Sequence, residues 1–382
     1  MGKVLFLTTI DFWESTSTGG KMISKRNYDM LTKSYGSDSV YYLGVGCSMG
    51  IYKDKNRYSV PFKKKNIPMY YNYLFNRYNY GKKEEERIIQ YVNKLDPDII
   101  FFDGTWIGGL LLKFQNKSLK ATLVYYHNVE SNVYYKHIFN SGKIKPQRYI
   151  RYKCVKYNEK IVTENADFRI CMNERDNKVL DAFFRKQADY FMPTTISDVY
   201  KNKFSGESGD ERIILLVGTY FVPTINGLDW FLEKVLPYID CKLVVVGRGM
   251  KKYSSPNITE KIEIIGEVED LSIYYEKADA VICPIFIGDG MKTKTAEAMM
   301  YGKTIFATDE ALEGYEVEHI KEIHRCNLPS EFIESITDYF NNENRNRYNE
   351  AVRSCFLEKY EFNAKFQGFQ EWLKENAFLG RV

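Results

Sequence analysis

The sequence predicts an α/β protein made of two doubly wound domains. Short runs rich in β-branched residues alternate with longer amphipathic segments, and this pattern restarts after a polar stretch near the middle of the chain. Continuous apolar strands separated by helices are typical of buried parallel sheets. The length of 382 residues suits about two domains of ordinary size.

The first series of strands and helices extends to about residue 192, and the second begins near residue 213. In the first, we predict strands at 4–9, 40–45, 99–103, 122–127, 168–172 and 190–192, and helices at 21–34, 84–95, 148–166 and 174–184. In the second, we predict strands at 213–218, 243–247, 262–265, 280–284 and 304–308, and helices at 226–236, 271–277 and 293–301.

The stretch 197–212 is polar, contains SGESGDE and has no periodicity, which is typical of an interdomain linker. We therefore expect an N-terminal domain at 1–196 and a C-terminal domain at 197–354. The remaining segment, 355–382, is helical in character and carries several aromatic residues. We expect it to pack back against the N-terminal domain.

The composition argues against several classes of protein. Hydrophobic residues make up 44% and charged residues 27%, and the net charge of +4 is too small to imply nucleic acid. The seven cysteines are scattered without a CxxC, which argues against a disulfide framework or a zinc site and favours a reducing compartment. The first apolar run is short and interrupted by Asp11, so we predict a buried strand and a cytoplasmic protein.

The segment 52–83 is unusual, because it has nine lysines and arginines against the single acidic residue Asp54, and five tyrosines are clustered within 70–80. One interpretation is a solvated loop with aromatic rings packed beneath it. Another is an interfacial patch for an anionic membrane or a lipid-diphosphate acceptor, with the protein peripheral on the inner face of the membrane. Single-stranded nucleic acid ranks last, since no motif for it accompanies the segment.

The strongest functional signal is the segment 287–316, which follows the predicted strand 280–284. It therefore lies at the carboxyl end of that strand, where open α/β sheets bind ligands. Gly288 and Gly290 permit tight turns and a close approach of the backbone to a ligand.

A helix is predicted to begin near Lys292, and its first N–H groups have no partners within the helix. These groups, with Lys292 and Lys294 beside them, suit a diphosphate. Glu297, one turn further along, could accept hydrogen bonds from a ribose diol. Each residue alone also fits a tight turn or a solvated surface charge, but together and in this order they favour a ligand site.

Here the sequence resembles glycosyltransferase family 4, a large retaining family with the two-domain GT-B architecture. The acidic–x7–Glu motif of that family is matched by Asp289 and Glu297, followed by AMMYGKTIFAT and EGY. Further similarity lies in ILLVGTYFVPTINGLDWFLEKVLPYI, KLVVVGRGM and IIGEVEDLSIYYEKADAVICPI, and more weakly in VYYHNVES of the first half. The resemblance implies a nucleotide-sugar donor bound in a cleft between two Rossmann-like domains.

The resemblance also implies roles for individual residues. His127 matches a histidine that faces the sugar, and Asp289 would position the sugar; these two form the expected catalytic set. Gly19 and Gly20 would let the first loop approach the ligand, or would simply form a turn before a helix. The expected donor-binding residues are Gly19, Gly20, Gly218, Arg248, Gly290, Met291, Lys292, Thr293, Lys294 and Glu297.

Two departures from the family pattern change which residues are expected to contact the donor. Asp289 stands where the family usually has Glu, and the Arg and Lys that often follow the first strand of the second domain are absent after Gly218. We therefore assign the electrostatic role to Lys292 and Lys294, with Arg248 in reserve. Asp96 and Asp98 form a DxD, but it precedes a strand and so lies at the wrong end of the sheet for a metal-diphosphate site.

The sequence thus predicts a retaining, metal-independent hexosyltransferase-like enzyme. It would move a sugar from a nucleotide diphosphate to a glycan or lipid-linked acceptor, in surface polysaccharide synthesis. No cofactor, metal or nucleic-acid partner is expected, since the four histidines lack metal-ligand spacing. Two alternatives stay open: a non-catalytic sugar-nucleotide-binding partner of another transferase, and a nucleotide-sugar epimerase.

Overall fold

The computed structural model describes residues 2–13, 18–46, 56–61, 70–139, 145–201 and 211–376. The chain divides into two compact units, one running to Pro193 and rejoined from Phe366 onward, the other spanning Thr194–Lys365. The boundaries predicted from the sequence lie between residues 196 and 197 and between residues 354 and 355. Of the predicted linker 197–212, residues 202–210 lie outside the described ranges.

The first unit contains a parallel sheet of seven strands among its described residues, in the order β3-β2-β1-β4-β5-β6-β7. The strands are β1 Val4–Thr8, β2 Val40–Val45, β3 Arg57–Val60, β4 Ile99–Asp103, β5 Ala121–Tyr125, β6 Phe168–Cys171 and β7 Tyr190–Phe191. The helices are α1 Gly19–Tyr35, α2 Tyr70–Leu74, α3 Lys82–Leu95, α4 Glu130–Phe139, α5 Pro146–Asn165 and α6 Glu174–Phe184, with a 3-10 helix at Gly108–Lys113.

The second unit repeats this design with six parallel strands in the part of it that is described, in the order β10-β9-β8-β11-β12-β13. Its strands are β8 Ile213–Val217, β9 Lys242–Val246, β10 Ile262–Ile265, β11 Ala280–Cys283, β12 Thr304–Ala307 and β13 Ile323–Arg325. Its helices are α7 Val222–Lys234, α8 Ser272–Lys277, α9 Thr293–Met300, α10 Asp309–Leu312, α11 Pro329–Asn341 and α12 Glu350–Lys359, with 3-10 turns at Leu236–Tyr238 and Met250–Lys252.

Both sheets follow from the apolar strands seen in the sequence. All five residues of β1, β4 and β5 are buried, and so are all four of β11 and β12. Strands covered on both faces cannot alternate polar and apolar residues, which is why they read as continuous apolar runs. The expected fold class, two doubly wound Rossmann-like domains, is confirmed.

The last described helix, α13 Phe362–Glu375, contributes aromatic rings to the first unit. Trp372 contacts Phe168 with ring centroids 5.4 Å apart and Tyr190 at 4.9 Å. Just before α13, the chain pairs within the second unit, where the Ile196 N–H donates to Tyr360 O at 3.1 Å. No helix among the described residues is long and apolar enough to span a membrane.

Candidate functional site

Each sheet has one point at which the strand order reverses, and ligands of open α/β folds bind beside that point at the carboxyl ends of the strands. In the first sheet it lies between β1 and β4, where Thr8 pairs with Asp103. In the second sheet it lies between β8 and β11. Polar residues predicted from the sequence are found at both places.

In the first unit, His127 follows β5 and its ring contacts a buried carboxylate. His127 Nε2 lies 3.0 Å from Asp103 Oδ1, at the end of the neighbouring strand β4. A carboxylate only accepts hydrogen bonds, so Nε2 carries the hydrogen. The other ring nitrogen, Nδ1, is buried and has no hydrogen-bond partner among the described residues.

Asp103 collects donors from two further elements. Its Oδ2 accepts hydrogen bonds from Ser24 Oγ at 2.6 Å and Thr8 Oγ1 at 2.9 Å, and its Oδ1 accepts from Asn27 Nδ2 at 2.9 Å. Burial alone would raise the pKa of the Asp103 carboxyl, but the charge and hydrogen bonds around it, His127 foremost, outweigh burial and lower the pKa. The carboxylate is therefore held ionised, and it fixes the orientation of His127.

A cavity of about 200 Å³ opens beside this pair, within the first unit. Two of its lining residues, Thr105 and Glu130, are bound by Glu159, which is fully buried and accepts hydrogen bonds from Glu130 N, Ser131 N and Thr105 Oγ1 at 2.7–3.0 Å. The carboxylate thus caps the first turn of α4. The cavity is lined by Thr9, Ile10, Gly20, Asp103, Gly104, Thr105, Trp106, His127, Asn128 and Glu130.

Gly19 and Gly20 lie in the first turn of α1 instead of in a loop before it. The sequence predicted the helix from residue 21, but Thr18 Oγ1 accepts a hydrogen bond from Lys21 N and caps the helix two residues earlier. Gly20 lines the cavity, and a Cβ added there would meet nothing within 4 Å. The neighbouring residues Thr16 and Ser17 lie outside the described ranges.

In the second unit, the segment after β11 turns at Gly290 and enters α9. Gly290 has a φ of +64°, a left-handed conformation that favours glycine. Lys292 is the N-cap residue and Thr293 is the first residue of the helix, as the sequence predicted. Met291 is buried, and its sulfur lies 3.4 Å from Thr194 N.

The two predicted lysines are both paired with carboxylates. Lys292 Nζ lies 2.7 Å from Glu310 Oε1 and donates to Gly290 O at 2.7 Å, so it ties the turn to α10. Lys294 Nζ lies 2.7 and 2.8 Å from the two oxygens of Glu297. From the sequence, Lys294 is predicted to contact the diphosphate and Glu297 the ribose. In the structure the two side chains form one ion pair.

Glu297 is almost buried, with 11% of its side chain exposed. Besides Lys294, its carboxylate accepts a long hydrogen bond from Tyr275 Oη at 3.4 Å. The ring of Tyr275 stacks on Tyr301 with centroids 4.4 Å apart, and burial raises the pKa of Tyr275 well above its usual range. The hydroxyl therefore stays a donor to Glu297 at neutral pH.

The loops after β8 and β9 meet at Gly218 and Gly247. Gly247 has a φ of +152°, and a Cβ built on it would lie 1.8 Å from Gly218 O, so only glycine fits this approach. Tyr220 N donates to Arg248 O at 2.9 Å across the same loops. Arg248 is half-buried, and its guanidinium makes no hydrogen bond or ion pair with any described residue.

The structure therefore gathers the predicted residues into two groups, one in each unit. Gly20 and His127 share the cavity of the first unit. Gly290 to Glu297 share the turn and first helical turns of α9, next to Asp289, which is half-buried in the same turn. Asp96 and Asp98 lie at the amino end of β4, where Asp98 accepts from Lys3 N at 2.7 Å, as expected for a strand-entry turn.

Sequence reasoning missed Asp103 and its partners Thr8, Ser24 and Asn27. The sequence predicts Asp103 only as the last residue of a strand, without a functional role. A signal was present, because polar residues end two apolar strands, Thr8 after VLFL and Asp103 after IIFF. Of the basic segment 52–83, residues 52–55 and 62–69 lie outside the described ranges.

Comparison with known proteins gives a family match for the second unit. Residues 211–342 match the family model described as Glycosyl transferases group 1. A relative from Klebsiella pneumoniae, "Uncharacterized 44.6 kDa protein in cps region", is 26% identical over 250 residues. That match takes in 61% of this chain and 63% of the length of the relative.

Solved structures resemble the chain over nearly its full length. Sucrose-phosphate synthase from Thermosynechococcus elongatus has a TM-score of 0.72 at 14% identity, covering 99% of this chain and 100% of the other. The lipopolysaccharide outer core galactosyltransferase WaaB has a TM-score of 0.65 at 13% identity, covering 98% and 99%. HepE from Anabaena in complex with UDP-glucose has a TM-score of 0.65 at 12% identity, covering 98% and 100%. At these identities the likeness shows the fold, GT-B.

Proposed function

We propose that this chain, whose residues 211–342 match the model of the group 1 glycosyl transferases, moves a sugar from a nucleotide diphosphate to a glycan or lipid-linked acceptor. The observation that carries the proposal is the ion pair of Glu297 and Lys294 at the start of α9, beside the strand-order reversal of the second sheet. A largely buried carboxylate there suits a ribose diol, since its desolvation favours hydrogen bonds from the ligand.

The diphosphate is proposed to bind at the turn 290–294. The first N–H groups of α9 and the ammonium of Lys294 supply donors and positive charge where the leaving diphosphate gains negative charge. Lys292 acts mainly by holding the turn through Gly290 O and Glu310, while Arg248 is available to bind a phosphate directly. We propose that transfer needs no metal, so EDTA should leave turnover unchanged.

In the first unit, His127 is proposed to face the sugar or the acceptor. His127 lines the cavity, and Asp103 holds its ring through Nε2. We propose that Asp289 positions the sugar and that the anomeric configuration is retained. Proton NMR of the product, through the coupling constant of the anomeric proton, would decide retention against inversion.

Two relatives guide the choice of donor and setting. HepE has been solved with UDP-glucose, which supports uridine diphosphate sugars as the first donors to test. The Klebsiella relative is named for a cps region, which supports surface polysaccharide assembly as the setting. A thermal-shift screen of nucleotide sugars, with nucleoside diphosphates as controls, should identify the ligand.

Calorimetry with that ligand then tests the site. Glu297→Gln should weaken donor binding about tenfold or more, because it breaks the ion pair with Lys294 and removes the charged acceptor for the ribose hydroxyls. Lys294→Met should weaken both the nucleotide sugar and the nucleoside diphosphate. Lys277→Met, at an exposed lysine of α8, is the matched control and should bind as the unchanged protein does. Unchanged affinity in Glu297→Gln would refute the donor assignment.

One observation favours a second candidate, a non-catalytic sugar-nucleotide-binding partner. Where the family pattern often has Arg and Lys, the loop after β8 and the first residue of α7 present Tyr220, Phe221 and Val222, exposed by 48%, 62% and 65%. Such a surface suits contact with another protein or an apolar group better than contact with a diphosphate. Slow hydrolysis of the donor by the isolated protein would count against this candidate.

A further inference from the structure

Helices α4 and α5 carry an uneven distribution of charge. From Ser131 to Asn158 the sequence has no Asp or Glu. The two carboxylates that flank this stretch, Glu130 and Glu159, are both buried. Over the same stretch the basic residues are Lys136, Lys143, Lys145, Arg148, Arg151, Lys153 and Lys156.

Exposed aromatic rings form one cluster across the two helices. Tyr135 and Phe139 of α4 and Tyr149 of α5 are exposed by 45%, 41% and 39%. Tyr135 and Phe139 lie 4.5 Å apart between centroids. Tyr152, buried beneath them, lies within 6.2–6.5 Å of all three rings. The three exposed rings are therefore neighbours in one patch, not scattered surface residues.

Lysines continue the patch along α5. Lys153, Lys156 and Lys160 follow Tyr149 at intervals of three or four residues, which places them on one face of the helix. Lys153 Nζ lies 5.5 Å from the Tyr149 ring, and Lys156 Nζ lies 5.9 Å from the Tyr152 ring. We call Tyr135, Phe139, Tyr149, Lys153, Lys156 and Lys160 the aromatic–basic face.

We propose that the aromatic–basic face docks the protein onto an anionic lipid bilayer. Rings with an apolar body insert at the level of the headgroups, while lysines extend along them to reach lipid phosphates. Lys160 pairs with Glu164 at 3.7 Å, and Glu164 is the first exposed carboxylate met along this face of α5. The charge of the face is thus complementary to a surface of acidic lipids.

This face differs from the segment 52–83, in which the sequence suggested a membrane contact, and it uses no residue of that segment. One of its two helices, α4, begins at the cavity of the first unit. Glu130, the first residue of α4, lines that cavity, and Tyr135 and Phe139 lie further along the same helix. The inference does not rest on the proposed transferase activity.

Cosedimentation of the full chain with large unilamellar vesicles tests the proposal. Vesicles of about one third phosphatidylglycerol in phosphatidylcholine should bind the protein, and pure phosphatidylcholine should bind it weakly. Each lysine near an anionic surface is worth about a fivefold change in partitioning. Lys153→Glu with Lys160→Glu should therefore lower partitioning about thirtyfold or more. At 1 M salt the Debye length is about 3 Å, so attraction between exposed charges is largely screened. Tyr149→Ser with Phe139→Ser should lower the binding that remains under this condition.

The matched control is Lys277→Glu with Lys374→Glu, which changes the net charge equally at exposed lysines of α8 and α13. It should bind vesicles as the unchanged protein does, and thermal melting should show that all variants are folded. Equal binding by the Lys153/Lys160 variant and the control would overturn the proposal. So would binding to a single-stranded oligonucleotide without binding to vesicles. Donor calorimetry on the same variants is expected to be unchanged, which separates this proposal from the proposed function.

Discussion

Replacing Asp103 with asparagine removes a buried negative charge while keeping the shape of the side chain. The amide oxygen can take the place of Oδ1 and still accept from Asn27 and His127. The amide nitrogen can take the place of Oδ2, because the hydroxyls of Thr8 and Ser24 can rotate to accept from it. All four side chains around residue 103 therefore keep a hydrogen-bond partner. The main loss is that these hydrogen bonds no longer involve a charged group.

The structure sets the expected size of the effect. Hydrogen bonds to a charged group contribute about 1.5–3 kcal/mol and neutral ones about 0.5–1.5 kcal/mol, and the asparagine no longer has to bury a charge. We therefore expect Asp103→Asn to cost about 1–2 kcal/mol of unfolding free energy. Asp103→Ala leaves the donors around it unpaired and should cost about 3–5 kcal/mol. Urea unfolding followed by circular dichroism measures both.

The two variants should also respond differently to pH. The pKa of Asp103 is lowered in the folded protein, so its stabilising contribution is present above the unfolded pKa of about 4 and declines as the pH falls below it. The unchanged protein should lose this contribution as the pH falls from about 4 through the lower pKa of the folded state, and Asp103→Asn should lose less over that range. Equal destabilisation by asparagine and alanine, or identical pH profiles for the unchanged protein and Asp103→Asn, would refute the reasoning.

Turnover gives an independent readout of the same substitution. Asp103→Asn should lower kcat through His127 and leave donor affinity unchanged, because the proposed nucleotide contacts lie in the second unit. Asp98→Asn is the matched control, since it makes the same change at the opposite end of β4 and should leave kcat unchanged.

Three further substitutions test other parts of the structure. Gly247→Ala should destabilise the second unit by more than about 2 kcal/mol in urea unfolding, since the new methyl group meets Gly218 O. Lys303 is buried and its pKa is lowered to about 7, so stability should rise between pH 7 and pH 9 by up to about 1.4 kcal/mol per pH unit. Lys303→Met should abolish that rise in unfolding experiments across this range. Tyr275→Phe should weaken donor binding a few-fold by calorimetry with little change in melting temperature, because it removes only the hydroxyl contact to Glu297.

Two of these three substitutions have a matched control variant. Gly20→Ala places a methyl group in open space and should leave stability within about 0.5 kcal/mol of the unchanged protein. A flat pH profile for the unchanged protein would contradict the buried, weakly basic lysine. Tyr238→Phe, at an exposed tyrosine, should not alter donor binding. A loss there as large as at Tyr275 would contradict the contact assigned to the latter.

The repeated α/β pattern could be predicted because buried parallel strands leave continuous apolar runs, as in β1, β4 and β11. Two of the edge strands, β13 and β3, left no such trace. β13 is the three-residue strand Ile323–Arg325, whose sequence IHR contains one apolar residue, and β3 reads RYSV. Both are edge strands whose positions depend on pairing with β12 and β2, which a local pattern does not encode.

The turn into α9 could be predicted because glycines and a helix start have local signatures. The pairing of its charges could not. Lys292 meets Glu310, which lies 18 residues away, and the sequence offers many acidic residues at such distances. Asp103 was missed for a similar reason, because its donors come from β1, α1 and the segment after β5. A buried cluster of this kind is defined by the sheet register, not by spacing along the chain.

The pairing of Ile196 with Tyr360, and the return of α13 to the first unit, affect the order in which the protein can be assembled. On the ribosome, the second unit is synthesised in full before Trp372 exists to cover Phe168 and Tyr190. The first unit therefore stays incomplete until synthesis reaches α13, although most of its residues are made first.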